Sequence, residues 1–282
     1  MTAVAWGLAA GVLVLAVACV ALALRLRRTP ARIATAVETA KTEQKELADR
    51  AADLQRSNAE LEQFAYLASH DLQEPLRKVA SFCELLQRRY AGRLDARADQ
   101  YIEYAVDGAH RMQALINDLL AFSRVGQGEA RPALVSSEKA LAQARTNLAR
   151  EIEESAATVE AGHLPLVLAE LPLLVAVFQN LLSNAIKFSG SAKPRIVVGA
   201  ARDGADWRFT VTDHGIGIDS KDAERIFGLF QRLNERSTYP GTGVGLAMCR
   251  KIVEYFGGRI WLDTTTKETT FAFTLRGEPD GD

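Results

Sequence analysis

Phe178-Gln-Asn-Leu-Leu-Ser-Asn-Ala-Ile-Lys-Phe188 is the stretch that decides the fold. Phe178, Leu181, Leu182 and Ile186 recur at helical spacing, and Asn180, Asn184 and Lys187, offset by four and three, fall on one polar face. Neutral amides offer oxygen ligands to a cation such as Mg²⁺ without adding negative charge, and a lysine meets phosphate oxygens directly. A solvated polar stripe would show the same spacing, so the neighbouring segments must arbitrate.

The pattern predicts one long helix over Leu171–Lys187. Strands are expected at Ala133–Ser137, Thr158–Glu160, Val167–Ala169, Arg195–Ala200, Arg208–Asp213, Arg259–Leu262 and Thr270–Leu275. Further helices are expected near Glu138–Glu153 and Gly245–Phe256. Strands grouped with helices on one face imply an α+β sandwich. Asp213 closes a strand and precedes Gly215 and Gly217 in D-H-G-I-G-I. A carboxylate there can accept a hydrogen bond from the exocyclic amine of adenine, and glycines let the backbone turn close to a base. Gly241, Gly243 and Gly245 lead into a helix, where unpaired backbone N–H groups and the helix dipole suit a phosphate. The spacing is neither that of a P-loop nor that of a dinucleotide fingerprint.

Upstream, Phe64 to Arg77 reads F-A-Y-L-A-S-H-D-L-Q-E-P-L-R, with Asp71 directly after His70. An imidazole attacking phosphorus through one nitrogen needs an acceptor for the proton on the other, and an adjacent carboxylate can supply it. This helix continues through Leu76, Val79, Phe82 and Leu86, with Pro75 expected to kink it. After a turn at Ala91-Gly92-Arg93, a second amphipathic helix carries Ile102, Ala105, Ala109, Met112, Ile116, Leu119 and Ser123. Two helices cannot enclose a core, whereas two copies make a four-helix bundle, so a homodimer is expected. Gly126-Gln127-Gly128 reads as a hinge. His110 is expected on a helix surface, His163 in a turn and His214 beside a bound nucleotide.

From Ile33 to Leu72 spacings of four and three define a weak heptad seam, read as a parallel coiled coil in which His70 points outward. Ala3 to Leu24 carries no charge, and about 22 such residues span roughly 33 Å, enough for a bilayer core. Arg25, Arg27 and Arg28 follow, which orients the remainder toward the cytoplasm. A cleavable signal peptide is the rival reading, but its start is normally basic and its core shorter. Net charge is -1, so no basic field recruits nucleic acid. Cys19, Cys83 and Cys249 share no metal-ligand spacing and suggest neither a disulfide framework nor a zinc site.

In this order, the His70 segment, the Asn180–Lys187 face, D-H-G-I-G-I, I-F-G-L-F-Q-R from Ile226 and G-T-G-V-G-L-A from Gly241 resemble the H, N, G1, F and G2 boxes of sensor histidine kinases. The resemblance covers roughly residues 59–276. Beside the transmembrane helix at 1–25 and coiled-coil linker at 26–58 read from the apolar run and the seam, it implies a dimerisation and phosphotransfer domain at 59–128 and a catalytic domain at 129–282 with the GHKL/Bergerat-type ATPase fold. It implies ATP and Mg²⁺ as cofactors, autophosphorylation of His70 assisted by Asp71, and transfer to the receiver domain of a separate response regulator. Asn184 becomes the main magnesium ligand with Asn180 assisting, and Lys187 and Arg232 bear on the phosphates. Asp213, Gly215 and Gly217 surround adenine, and Gly241, Gly243 and Gly245 the phosphates. Phe227 and Phe230 resemble hydrophobic anchors of an ATP lid between Ile218 and Tyr239. The expected location is the inner membrane, single-pass, with the catalytic region cytoplasmic. Glu74 stands where bifunctional relatives carry Thr or Asn, which puts phosphatase activity in doubt. Two other functions remain open: a silent membrane-tethered nucleotide-binding scaffold, and an ATPase that uses water as acceptor.

Overall fold

A computed structural model describes residues 38, 41–50, 53, 56, 72–126, 132–233, 239, 241–265 and 268–278. The expected transmembrane helix, the lower part of the seam, His70 and Asp71 lie outside the described residues. Among the described residues, no helix is long and apolar enough to cross a membrane. The chain divides into two compact units, Met1–Glu62 and Gln63–Asp282. In the first, residues 41–50 are helical and solvent-facing, with exposed ion pairs one turn apart such as Lys41–Glu38.

The second unit opens with a helical hairpin, α1 (72–90) and α2 (Ala96–Arg124). Residues beyond Pro75 remain helical. Gly92 turns the chain in a left-handed conformation (φ +70°) and donates its N–H to Asp99. Asp95 then caps α2 by accepting from the Ala98 N–H at 2.8 Å. α2 begins well before the first apolar residue of its periodic face, Ile102, because the cap and not the apolar pattern sets its start. The hairpin buries little: Leu76, Ala80 and Ala109 form its cluster, with Ile116 against them. Leu72, Phe82, Tyr101 and Met112 remain exposed.

Then follows the sandwich. β1 (Ala133–Ser136) and β3 (Leu166–Ala169) form an antiparallel ribbon. A five-stranded sheet has the order β2-β4-β5-β7-β6, from Thr158–Ala161, Arg195–Asp203, Asp206–Asp213, Thr269–Arg276 and Ile260–Asp263. Every pairing in it is antiparallel except β2 with β4. The single helix expected near Glu138–Glu153 is two, α3 (Ser137–Asn147) and α4 (Ala149–Ser155). Leu148 joins them: its side chain is buried in the core, and its backbone leaves helical geometry at ψ 12°.

α5 (Leu171–Lys187) fastens the layers. Its Phe178 meets Phe209 and Phe273 edge-on at 6.1 and 5.9 Å, and those two rings stack at 4.9 Å. Such an aromatic cluster contributes about 0.5–1.5 kcal/mol per pair beyond its area burial. With Leu174, Leu181 and Leu182 turned to the same core, the opposite face of α5 is left for polar residues. α6 (Gly245–Tyr255) packs beside α5 through Cys249, Ile252 and Val253, all wholly buried. Val125, at the end of α2, belongs to this same core, so the last turn of α2 is packed on the sandwich; Gln127 and Gly128 of the expected hinge lie outside the described residues.

Candidate functional site

The polar face of α5, the end of β5, the start of α6 and the last turns of α2 surround one cavity of about 620 Å³. That size suits a small-molecule ligand such as a nucleotide. Asn180, Asn184, Lys187, Asp213, Gly217, Arg232, Gly241, Gly243 and Gly245 all line it, with Gly245 close against Asn180 and Gly241 close against Lys187.

Asp213 ends β5 and is 6% exposed. Burial pushes its carboxyl up to about 6, against the pull of the Gly215 N–H, the Thr269 hydroxyl and the nearby His214. The Gly215 N–H donates to Oδ1 at 2.9 Å. Gly215 itself does not line the cavity; a Cβ there would run into the Phe188 carbonyl, so it stands behind Asp213. Thr269 comes from β7, where the antiparallel register pairs it with Asp213.

Asn180 donates its amide N–H to the Ala176 carbonyl at 2.9 Å, which leaves its oxygen facing the other way, toward Gly245. A Cβ on Gly245 would stand 2.6 Å from that oxygen, so only glycine lets α6 begin so close to α5. The side-chain amide is therefore oriented as an oxygen donor, the chemistry a hard cation selects. No group of three or more His, Cys, Asp or Glu arranged for a metal occurs among the described residues. A cation here would rest on amide oxygens and on oxygens its ligand brings.

Lys187 is half-buried, and desolvation followed by the charge of Arg232 holds its ammonium below the usual lysine range. Its Nζ lies 4.6 Å from the centre of the Phe188 ring and beside Gly241. Arg232 reaches back to the carbonyls of Gly241 and Tyr239, pinning the glycine segment. Two cations thus converge at the glycine segment, an arrangement that favours an anion between them. Gly243 adopts φ +79°, and a Cβ would stand 3.0 Å from the Gln231 carbonyl. α6 starts immediately afterwards with no side-chain cap, so its first N–H groups remain available.

Three residues that the motifs did not signal join the site. Asp118 and Val125 reach it from α2, and Thr242 donates its hydroxyl to Asp118 at 2.5 Å. Thr269 supports Asp213, a role visible only once the register is known. His214, expected beside the nucleotide, instead pairs with Glu268 at 2.9 Å and does not line the cavity. His110 bridges the hairpin to Glu84 at 2.7 Å, and His163 pairs with Glu138 at 3.0 Å. Phe227 is buried as a core residue against Phe271, and Phe230 is exposed with φ +60°.

A buried carboxylate, amide oxygens, convergent cations and a glycine-rich helix start line one cavity of an α/β sandwich that is joined to a helical hairpin. Residues 170–279 match the family model of histidine kinase-, DNA gyrase B- and HSP90-like ATPases, and residues 60–128 that of the His Kinase A (phospho-acceptor) domain. The chain carries both domains and belongs to the histidine kinases. It is 49% identical over 231 residues to cyanobacterial phytochrome A of Nostoc sp., which covers 82% of this chain and 30% of that protein. The chain thus spans under a third of the length of that relative. Full-length ShkA in complex with AMPPNP superposes with a TM-score of 0.59 at 25% identity, over 77% of this chain and 46% of that one. The histidine kinase ThkA in complex with the response regulator TrrA shares the fold, with a TM-score of 0.54 at 17% identity over 80% of this chain and 66% of that one.

These findings correct one expectation. The chain was expected to be a single-pass protein of the inner membrane. A relative aligned over 82% of this chain is a phytochrome, and among the described residues no helix is long and apolar enough to cross a membrane.

Proposed function

We infer that this chain is a protein-histidine kinase that transfers the γ-phosphoryl group of ATP to His70. The observation that carries the reading is the gathering of Asn184, Lys187, Asp213, Arg232 and Gly243, from distant parts of the sequence, around one cavity. Asp213 accepts from the exocyclic amine of adenine; a guanine would present its carbonyl oxygen to the same carboxylate and be repelled. Gly217 gives room for the base, and Gly241, Gly243 and Gly245 let the backbone close on the phosphates. Lys187 and Arg232 neutralise charge that spreads over the phosphoryl oxygens as the bond to ADP loosens. Mg²⁺, when bound, would screen the triphosphate; Asn184 and Asn180 would hold it, and the orientation of the Asn180 amide oxygen supports this.

His70 attacks the γ-phosphorus through one ring nitrogen, an N–P bond forms, the bond to the bridging oxygen breaks, and ADP leaves. Asp71 takes the hydrogen bond from the other ring nitrogen and stabilises the imidazolium that forms. The phosphorylated imidazole then passes its phosphoryl group to an aspartate of a response regulator, the kind of partner that ThkA holds in its own complex. The exposed apolar residues of the hairpin and its small cluster support a second copy of this chain as the dimer partner.

Incubation of the full chain with γ-labelled ATP and Mg²⁺ tests this. The label is expected to be acid-labile and base-stable, absent in His70→Gln and greatly reduced in Asn184→Asp. Full labelling of His70→Gln refutes the acceptor assignment. Nucleotide binding without label in the unmodified chain points to a scaffold, and hydrolysis indifferent to His70→Gln to a water-using ATPase.

A further inference from the structure

The nucleotide cavity has a wall that does not come from the sandwich. Asp118, Ala121 and Val125 of α2 line it, and together with Phe122 they occupy one face of that helix at spacings of three and four. Phe122 lies under the Lys251 ammonium, 4.5 Å from its ring centre. At the helix end Gly126, with φ +84°, presses on the Tyr255 ring so closely that a Cβ would stand 3.1 Å from it. Tyr255 is itself tied to Glu170 at 3.0 Å. The last two turns of α2 are therefore seated on α6 and form part of the cavity lining.

The contact nearest the phosphate subsite is Asp118 with Thr242, in the middle of the glycine segment. With no cation between them, a carboxylate here opposes a triphosphate on the same loop, because like charges at close range in a partly desolvated site repel strongly. We propose that the end of α2 is a nucleotide-displaced latch: Asp118 holds Thr242 while the phosphate subsite is empty, and an entering triphosphate releases the helix. The latch rests on the nucleotide reading of the cavity and adds how that site is regulated. Any molecule in the latched state is lost to nucleotide, so apparent affinity is lowered by the latched fraction. Linkage works in reverse too: whatever pulls α2 away from the sandwich raises affinity for ATP by the same factor.

Calorimetric titration of the full chain with AMPPNP and with adenosine, with and without Mg²⁺, tests the latch. Asp118→Asn keeps the shape and removes the charge; Asp118→Ala removes both charge and acceptor. Both are expected to bind AMPPNP about tenfold more tightly, about 1.4 kcal/mol, with adenosine affinity unchanged. Hydrogen exchange at residues 118–126 should rise when AMPPNP binds the unmodified chain and start high in Asp118→Ala. Unchanged AMPPNP affinity in both variants overturns the latch, as does exchange at 118–126 that ignores nucleotide. A loss of affinity confined to Mg²⁺-containing buffer overturns it as well and makes Asp118 a cation ligand instead. If the unmodified chain binds neither adenosine nor AMPPNP, the nucleotide reading fails and the latch with it.

Discussion

Replacing Asp213 by asparagine should make the sandwich more stable while disabling its site. Burial raises this carboxyl from 3.8 to about 6, a difference worth about 3 kcal/mol between its two protonation states. Below pH 3.8 the group is neutral whether the chain is folded or unfolded, and it costs nothing. Between 3.8 and about 6 the unfolded chain ionises first while the folded one keeps its proton, so stability falls as pH rises. Above about 6 both are ionised and the whole cost remains. The amide in Asp213→Asn never ionises, and its oxygen can still accept from the Gly215 N–H, the bond that now spans 2.9 Å. The expected gain is therefore about 2–3 kcal/mol at pH 7.5, shrinking to about 0.5 kcal/mol at pH 4. Urea unfolding followed by the fluorescence of Trp207 and Trp261, both within the sandwich sheet, measures it at the two pH values. AMPPNP should no longer raise the melting temperature of the variant, because an amide N–H would face the amine of adenine. A gain that does not change with pH, or a less stable variant at pH 7.5, refutes the claim that burial of this charge is what the fold tolerates for function.

Gly243→Ala forces a Cβ into a left-handed position 3.0 Å from backbone atoms of Gln231 and Phe230. It should cost about 1–2 kcal/mol and weaken AMPPNP binding by about tenfold or more, read by calorimetry on a variant that remains folded by circular dichroism. Cys249 is wholly enclosed, and burial pushes its thiol up to about 12. At pH 8 it should resist iodoacetamide until urea unfolds the chain, whereas Cys83, which is partly exposed, is alkylated in the native protein; peptide mass spectrometry distinguishes them.

Helix α5 was legible because two independent signals coincide on it: an apolar stripe sets its extent, and Asn180, Asn184 and Lys187 fill the remaining face. The strands were found, most of them drawn short. β4 runs on to Asp203 because Gly204, at φ +63°, turns it into β5 with Asp203 paired to Asp206. The polar run Ala201-Arg202-Asp203 carries no apolar alternation to announce that extension. The break at Leu148 was invisible for a related reason. No Gly or Pro marks it, and the chain bends because burying Leu148 outweighs one turn of continuous helix.

The site divides along the same line. Residues that hold the cavity from within a motif could be named in advance, because the motif is a local arrangement of backbone freedom and polar groups. Thr269 and Asp118 could not. The first reaches Asp213 through strand register, which a pattern of alternation does not fix between distant strands. The second depends on where the end of α2 comes to rest, and that is decided by Val125 entering the sandwich core and Gly126 meeting Tyr255. Asp118 sits one helical turn before Phe122 and two before Val125, so the packing that seats those residues also carries its charge to the glycine segment. A neutral residue at 118 would loosen the hold on Thr242 and leave nothing to oppose a phosphate. The burial that joins hairpin to sandwich is thus what makes a charge on one answerable to a nucleotide on the other.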